Sequence, residues 1–259
     1  MSGAARWDDL VPRVVSGVVL AAAGGLILWL GGWVFALAVC AVGGVMAWEA
    51  ARLFAAPAPV QDGLLAGLAL VLGVLVTGVW ALLPVLVAAL VTATRAGRDR
   101  RLCFGFQAWV LLAVLALVTL RNEAGLVWAL WLVAVVVVTD VAGYFAGRSF
   151  GGPKFWPRVS PKKTWAGTVA GWAAAAAMGV LFAPLTGAGV VLAPVSVPVA
   201  FAGQMGDIAE SAVKRRAGVK DSSTLIPGHG GLLDRFDALM GAAAAAALMW
   251  ALGAIPQGA

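Results

Sequence analysis

The sequence predicts an all-α, polytopic integral membrane protein, and three observations carry that prediction. Of its 259 residues, 62% are hydrophobic and only 12% are charged, whereas a soluble domain usually carries about 25% charged residues. The mean hydropathy is +0.97. Residues 14–48 form a run of 35 positions without a charge. This composition excludes a soluble globular domain and a disordered chain, and the two cysteines, in or beside apolar runs, exclude a disulfide framework.

The charge-free runs divide into about nine predicted transmembrane helices, because a span needs about 20 mostly apolar residues. A turn at Gly31-Gly32 separates the first two spans, and a turn near residues 80–84 separates the next two. Prolines between residues 184 and 198 mark a loop or a broken helix in the longest run. Two spans each are predicted in the runs 14–48, 63–94 and 164–206. One span each is predicted in the runs 102–120, 124–147 and 238 to the C-terminus.

The basic residues support this count, because cytoplasmic loops of membrane proteins carry an excess of Lys and Arg. With the N-terminus in the cytoplasm, 17 of the 18 Lys and Arg fall in inside segments, and only Arg121 falls outside. Nine spans then place the C-terminus outside. The net charge of +6 belongs to loops that face anionic lipid, so membrane lipid is an expected partner and nucleic acid is not.

The polar residues predict two functional regions. Residues 1–139 form a transmembrane scaffold of about five spans and part of the sixth, and residues 140–259 form a catalytic membrane half with cytoplasmic loops 148–164 and 207–237. In the scaffold, the basic loop 95–101 is most simply a lipid-facing anchor. Glu49 is either an interfacial residue or a polar contact to a substrate. The GxxxG spacings are no more frequent than chance among 33 glycines and predict little about packing: Gly63/Gly67, Gly143/Gly147 and Gly167/Gly171.

Residues 211–237 contain the only histidine, three aspartates and five basic residues. Asp234 and Asp237 are three apart and share a face of a helix. Aspartates beside Lys and Arg suit a hard cation next to an anion, and Mg²⁺ prefers a few carboxylates plus substrate phosphates. The segment Gly228-His229-Gly230-Gly231 can offer backbone N–H groups to a phosphate. The pattern favours metal-assisted phosphoryl or nucleotidyl transfer over a solvated loop with a helix cap.

A second group of polar residues lies between 140 and 167. Asp140 follows an apolar run, and a carboxylate at membrane depth is costly unless it is paired or faces a wet cavity; the alternative is a position at the interface. Tyr144 is one helical turn along and could hydrogen-bond to it. Ser160, Lys162, Lys163 and Thr164 open the next span, where lysines and hydroxyls at a helix N-terminus suit a phosphate. Loop lysines that only fix topology are the alternative.

These residues resemble the phosphatidate cytidylyltransferase family, also called CDP-diacylglycerol synthases. The family signature has the form S-x-x-K-R-x4-K-D, then P-G-H-G-G, then x-x-D-R-x-D. Its positions correspond here to Ser211, Lys214, Arg215, Lys220, Asp221, Pro227, Gly228, His229, Gly230, Gly231, Asp234, Arg235 and Asp237. The Gly206–Ser211, Asp140–Tyr144 and Ser160–Trp165 segments also resemble the family. Ala166 departs from it, because the family often has Glu at this position.

The resemblance implies that CTP and phosphatidic acid react to give CDP-diacylglycerol and pyrophosphate. It implies Mg²⁺ held by Asp207 and Asp234, with Asp221, Asp237 and Asp140 as second choices, and it leaves a second cation open. It also implies a homodimer in a bacterial-type cell membrane, with the active site facing the cytoplasm. A CTP-dependent polyprenol kinase and, from another class, an ion-coupled transporter are the alternatives.

The predicted site residues fall into two groups. Catalytic roles are expected for Asp207, Asp234, Lys214, Arg215 and His229. Substrate or phosphate binding is expected for Ser160, Lys162, Lys163, Thr164, Ser211, Lys220, Gly228, Gly230, Gly231, Arg235 and Tyr144. His229 is expected to donate a hydrogen bond to the nucleotide or to the departing pyrophosphate, and a structural contact of its ring is the competing role.

Overall fold

The structure is a computed structural model that describes residues 10–253 and 255, with side chains described from residue 14. Arg6, which contributes to the predicted placement of the N-terminus, lies outside the described residues, as do residues 256–259 at the C-terminus. The described part contains nine α-helices: α1 Leu10–Leu30, α2 Gly32–Leu53, α3 Pro59–Leu75, α4 Leu82–Arg95, α5 Arg100–Thr119, α6 Leu126–Phe150, α7 Trp165–Thr186, α8 Leu192–Ala217 and α9 Leu233–Ala251.

Helices long and apolar enough to cross a membrane dominate the described residues, which confirms the prediction of a helical, polytopic membrane protein. Six segments qualify: Gly32–Leu53, Gly78–Arg95, Arg100–Ala124, Leu126–Phe150, Trp165–Thr186 and Gly189–Ala217. The shorter apolar helices Val14–Leu30 and Pro59–Leu75 accompany them. Helix α9 is not among the six, because its first turns carry Asp234, Arg235 and Asp237. The count of nine spans and the orientation of the termini stay predictions.

Glycines mark two of the helix breaks in the described residues. The turn predicted between the first two spans is confirmed, since Gly31 and Gly32 adopt φ angles of 64° and 53° between α1 and α2. The break in the run 164–206 falls at Gly187, a left-handed C-cap with φ 72°, and at the short 3-10 helix Gly189–Val191. Pro184 and Pro198 lie inside helices instead. Gly adopts positive φ without a Cβ penalty and therefore ends a helix cleanly.

The loop 148–164 contains a small β-hairpin, which the all-α prediction did not include. Strands β1 Lys154–Trp156 and β2 Ser160–Thr164 pair antiparallel, with Lys154 opposite Thr164. The sequence predicted that residues 160–163 lie at the start of a helix. In the structure they lie on a strand instead. Thr164 alone joins the helix, because its hydroxyl oxygen accepts a hydrogen bond from Gly167 N at 3.2 Å and caps α7.

The chain divides into two compact units, which are described separately. The first unit contains residues 1–118 and 216–236, and the second contains residues 119–215 and 237–259. This division concerns packing, and the functional division at residue 139 stays a prediction. In each unit a pair of helices meets through glycines.

In the second unit, helices α6 and α7 approach so closely that a Cβ on Gly167 would lie 2.5 Å from the Gly143 carbonyl oxygen. In the first unit, a Cβ on Gly63 of α3 would lie 2.8 Å from the Gly44 carbonyl oxygen of α2. Both are backbone obstacles that cannot rotate away. The GxxxG spacings at these positions are therefore packing motifs, although their frequency in the sequence carried little information.

We expect Gly167→Ala to destabilise the protein by about 1–3 kcal/mol, because the added methyl group overlaps the backbone of α6. The matched control is Gly105→Ala, a helical glycine with nothing within 4 Å of the added Cβ. Both changes improve helix propensity equally, so thermal unfolding in detergent isolates the packing effect. Equal melting temperatures for the two variants would contradict the close approach of α6 and α7.

Candidate functional site

In the first unit, the segment Pro227–Gly231 forms a tight turn that is closed by its own backbone. Ile226 N donates to Gly230 O at 2.7 Å, and His229 N donates to Ile226 O at 2.9 Å. Gly228 and Gly230 have φ angles of 75° and 81°, which favour glycine. The His229 side chain is therefore presented by a rigid turn, and its own backbone N–H is engaged within the protein.

The buried carboxylate of Glu49 on α2 holds this turn in place. Its Oε1 accepts hydrogen bonds from Ser223 Oγ at 2.5 Å and from Leu232 N at 3.1 Å. Its Oε2 accepts one from Leu233 N at 2.7 Å. The first N–H groups of a helix have no partner within the helix, so Glu49 caps α9 from another element. Sequence reasoning left Glu49 open between an interfacial and a substrate-side role; its contacts in the structure are with donors of the protein, and the two alternatives stay predictions.

Asp234 organises the same turn from inside. Its Oδ2 accepts three hydrogen bonds: from Ser222 N at 2.9 Å, Ser222 Oγ at 2.8 Å and Gly231 N at 2.8 Å. A Cβ on Gly231 would overlap Glu49 Oε1 and Ser222 Oγ. The close approach that Gly231 permits is therefore to Glu49, and its N–H is bound to a carboxylate of the protein rather than presented to a ligand.

The His229 ring lies against α1. Its Nδ1 is 2.8 Å from Ser16 Oγ, and the same hydroxyl oxygen lies 3.1 Å from the carbonyl oxygen of Pro227. The ring is half-buried. The structure thus gives the ring a contact with the scaffold through Nδ1, and the predicted hydrogen bond from His229 to the nucleotide or pyrophosphate stays a prediction.

In the second unit, Lys163 of β2 forms an ion pair with Asp207 of α8, with Nζ 2.5 Å from Oδ2. Lys163 Nζ also donates to Gln204 O at 3.4 Å. Asp207 Oδ1 accepts a hydrogen bond from Ser211 Oγ at 3.3 Å, one helical turn along. One turn further, Lys214 Nζ lies 2.5 Å from the buried Glu210 carboxylate. Helix α8 therefore carries two carboxylates, Asp207 and Glu210, each paired with a lysine.

A cavity of about 400 Å³ opens beside this ion pair. Its lining includes Asp140 and Tyr144 of α6 with Lys162, Lys163 and Thr164 of β2, two groups that the sequence predicted separately, and Gln204 of α8, which the sequence did not predict. These described side chains do not form the predicted hydrogen bond between Tyr144 and Asp140; instead, Arg148 Nη1 donates to the Tyr144 hydroxyl at 2.8 Å. The cavity therefore has a carboxylate at one wall and two lysines at another.

In the second unit, negative charge is concentrated around Asp237, near the start of α9. Burial, followed by the charge of Asp207, raises the pKa of the Asp237 carboxyl from 3.8 to about 7. Lys214 acts in the opposite direction. A carboxyl group whose pKa is raised by burial and by a neighbouring negative charge gains from a cation beside it.

No group of three His, Cys, Asp or Glu side chains within the described residues is arranged to hold a metal ion. A complete protein cage is therefore not formed by that part of the chain. Mg²⁺ is usually bound by one or two carboxylates together with substrate phosphates, so the carboxylate oxygens of Asp207 and Asp237 are a chemically suitable donor set. Asp234 belongs to the first unit, where its Oδ2 accepts three hydrogen bonds, and its role as a metal ligand stays a prediction.

The remaining predicted residues lie at the periphery. Lys220, Asp221 and Arg235 are exposed.

The basic loop 95–101 is not simply a lipid anchor, as three ion-pair and hydrogen-bond contacts tie it into the first unit. Arg95 pairs with the buried Asp62, Arg98 donates twice to Leu53 O, and Asp99 pairs with Arg216. Arg98 thereby caps the C-terminus of α2.

A polytopic membrane protein that offers lysines, carboxylates and a glycine-flanked histidine carries the groups used to bind phosphorylated substrates. The sequence profile of the Cytidylyltransferase family matches residues 11–252. The chain therefore belongs to the Cytidylyltransferase family.

Curated relatives bear a consistent name. The chain is 45% identical over 168 residues to the phosphatidate cytidylyltransferase of Brucella suis, which covers 64% of this chain and 61% of the relative. It is 39% identical over 174 residues to that of Pseudomonas aeruginosa, covering 61% and 60%. It is 38% identical over 128 residues to that of Bacillus subtilis, covering 48% of both chains. The chain thus spans about half to three fifths of the length of these relatives.

We expect Glu49→Ala to cost at least about 3 kcal/mol of stability, because three buried donors lose their acceptor. Glu49→Gln keeps one carbonyl oxygen and should lose less. The measurement is thermal unfolding in detergent, together with the rate of proteolysis in residues 218–232. Glu123→Ala, at an exposed position, is the control; if Glu49→Ala unfolds at the same temperature as this control, Glu49 does not anchor the turn.

Proposed function

We propose that this protein is a phosphatidate cytidylyltransferase, which converts CTP and phosphatidic acid into CDP-diacylglycerol and pyrophosphate. The observation that carries the proposal is the match to the Cytidylyltransferase family over residues 11–252, with relatives named phosphatidate cytidylyltransferase. The cavity with Asp140, Lys162 and Lys163 supports it, because two anionic substrates need cations at a shared site.

The chemistry needs no protein nucleophile. A phosphate monoester has a second pKa of about 6, so an oxygen of phosphatidic acid attacks the α-phosphorus of CTP without a strong base. The new phosphorus–oxygen bond forms as the bond between the α-phosphorus and the bridging oxygen breaks, and pyrophosphate leaves with that electron pair. The protein must hold two anions together and stabilise the charge on the leaving group.

The proposed roles of the residues follow from their charges. Lys162 and Lys163 at the cavity are proposed to neutralise substrate phosphate, with Lys214 and Arg215 of α8 as further cations. Mg²⁺, when bound, would supply a compact positive charge for the phosphates of CTP. Asp207 and Asp234 are the proposed ligands, and Asp221, Asp237 and Asp140 are the second choices. His229 is proposed to contact the nucleotide or pyrophosphate through its ring.

The membrane arrangement is part of the proposal. Helices α1–α9 are proposed to provide nine spans, with the N-terminus in the cytoplasm, the C-terminus outside and the site facing the cytoplasm of a bacterial-type cell. The clustering of Lys and Arg between alternate spans supports this orientation. We further propose a homodimer, since glycine-rich helix surfaces permit close packing.

The decisive measurement is incubation of the purified protein with labelled CTP, phosphatidic acid and Mg²⁺. A labelled CDP-lipid with release of pyrophosphate is the expected product. A phosphorylated polyprenol formed from a supplied lipid alcohol would indicate the kinase instead. The absence of any labelled lipid under both conditions would leave the transporter alternative.

We expect Asp207→Asn to abolish turnover while the protein still inserts and unfolds normally, because the change removes one charge and keeps the side-chain shape. Asp234→Asn should also abolish turnover, but it disturbs the hydrogen bonds to Ser222 and Gly231 and should lower stability as well. Asp207 is therefore the cleaner test. Near-normal activity of Asp207→Asn at saturating Mg²⁺ would contradict its proposed role.

We expect Lys163→Ala to lower kcat/KM for phosphatidic acid at least about tenfold, because a cation at the cavity and the partner of Asp207 is lost. The control is Arg101→Ala, an exposed cation in the basic segment of the first unit. Arg98 is unsuitable as a control, since it caps α2. If both variants lose activity equally, the lysine serves only to fix topology.

A further inference from the structure

The histidine of the Pro227–Gly231 turn is contacted by a hydroxyl group from the other end of the sequence. Ser16 of α1 lies 213 positions before His229, and its Oγ is 2.8 Å from His229 Nδ1. The same Oγ lies 3.1 Å from the carbonyl oxygen of Pro227, two residues before the histidine. One hydroxyl group thus bridges the ring and the backbone of a single turn.

The two contacts favour one placement of the protons over the other. A carbonyl oxygen only accepts hydrogen bonds, whereas a neutral imidazole carries a proton on one nitrogen and a lone pair on the other. If the hydroxyl proton points to Pro227 O, then Nδ1 must donate to Oγ, and all three groups are satisfied. If the hydroxyl proton points to Nδ1, two oxygen lone pairs face one another across 3.1 Å.

We propose that Ser16 is a positioning residue that holds the neutral His229 ring with its proton on Nδ1. The ring nitrogen Nε2 is then the one that meets a ligand. The consequence for catalysis rests on the proposed function: when Nε2 takes up a second proton, the imidazolium donates Nε2–H to a phosphate oxygen of the nucleotide while Nδ1–H stays bonded to Ser16.

The neighbouring Gly17 supports this geometry. A Cβ at Gly17 would lie 3.7 Å from both Cε1 and Nε2 of His229. This is ordinary van der Waals distance, so the Cε1–Nε2 edge of the ring runs beside α1 without a side chain on it. The ring is therefore located by α1 on one edge and by Ser16 at Nδ1, which restricts rotation about the bond to Cβ. Such fixing of the tautomer by the remote nitrogen is the usual way that proteins orient a functional histidine.

The protein contains one histidine, so the tautomer can be measured without assignment. The full-length protein is labelled with ¹⁵N-histidine, purified in detergent through a tag that contains no histidine, and examined by long-range ¹H–¹⁵N correlation at a pH at which the ring is neutral. We expect Nδ1 to have the shift of a protonated nitrogen and Nε2 that of an unprotonated one. The reverse pattern in the wild-type protein would overturn the proposal.

Two variants extend the test. Ser16→Ala should lose the preference and shift both nitrogens toward an average of the tautomers, whereas Ser16→Thr keeps the hydroxyl and should retain the wild-type pattern. Thr94→Ala is the matched control, because it removes a helix hydroxyl that donates to Val91 O and does not touch His229. The same neutral tautomer in wild type and Ser16→Ala would also overturn the proposal.

Kinetics separate this inference from the proposed function. We expect Ser16→Ala to lower kcat/KM for CTP about five- to tenfold, the effect of one hydrogen bond, with melting temperature unchanged and with recovery in Ser16→Thr. The KM for phosphatidic acid should not change. If the wild-type protein does not turn over CTP, the proposed function fails, and the nitrogen shifts still decide the role of Ser16.

Discussion

The buried carboxylate of Glu49 is the interaction on which the first unit depends. A charged group of this kind is stable in an apolar surrounding only when hydrogen bonds replace its water. Here the replacements come from Ser223, Leu232 and Leu233, which are distant in sequence but adjacent in this fold. The turn that presents His229 is therefore attached to a transmembrane helix at one charged point. A shift of α2 along its axis would move the turn with it.

In the second unit, the electrostatic constraint is a set of carboxylates that lie close together. Burial, followed by the charge of Asp207, raises the pKa of Asp237, and Lys163 compensates part of the negative charge by pairing with Asp207. The lysine comes from a β-strand that precedes α7, while the aspartate lies on α8. Phosphate and a divalent cation are the natural competitors for such a pair, since each replaces one partner with a stronger charge. The arrangement is consistent with a site that exchanges internal ion pairs for ligand contacts.

Sequence reasoning reached the helical membrane fold and the residues at the cavity, because hydropathy and local motifs carry that information. It could not predict the capping contacts of Glu49, the contact of Ser16 with His229 or the glycine contacts, because each depends on which segments lie side by side. Gly167 illustrates the difference: its spacing from Gly171 is common in a glycine-rich chain, and its importance is visible only because a Cβ added there would lie 2.5 Å from Gly143 O. The hairpin was missed for a related reason, since Ser160–Thr164 has the composition of a helix start and pairs instead with Lys154–Trp156.

The glycine-rich turn has two separable tasks. Gly231 and Asp234 are occupied with each other and with Ser222, so their chemistry holds the backbone in shape. Gly228 and Gly230 supply the positive φ angles that reverse the chain. What the turn presents outward is the ring of His229, whose Nδ1 is in contact with α1. The sequence of this turn predicts a phosphate-binding motif. In the structure, most of its described contacts hold the backbone of the turn and the Nδ1 nitrogen of His229 in place.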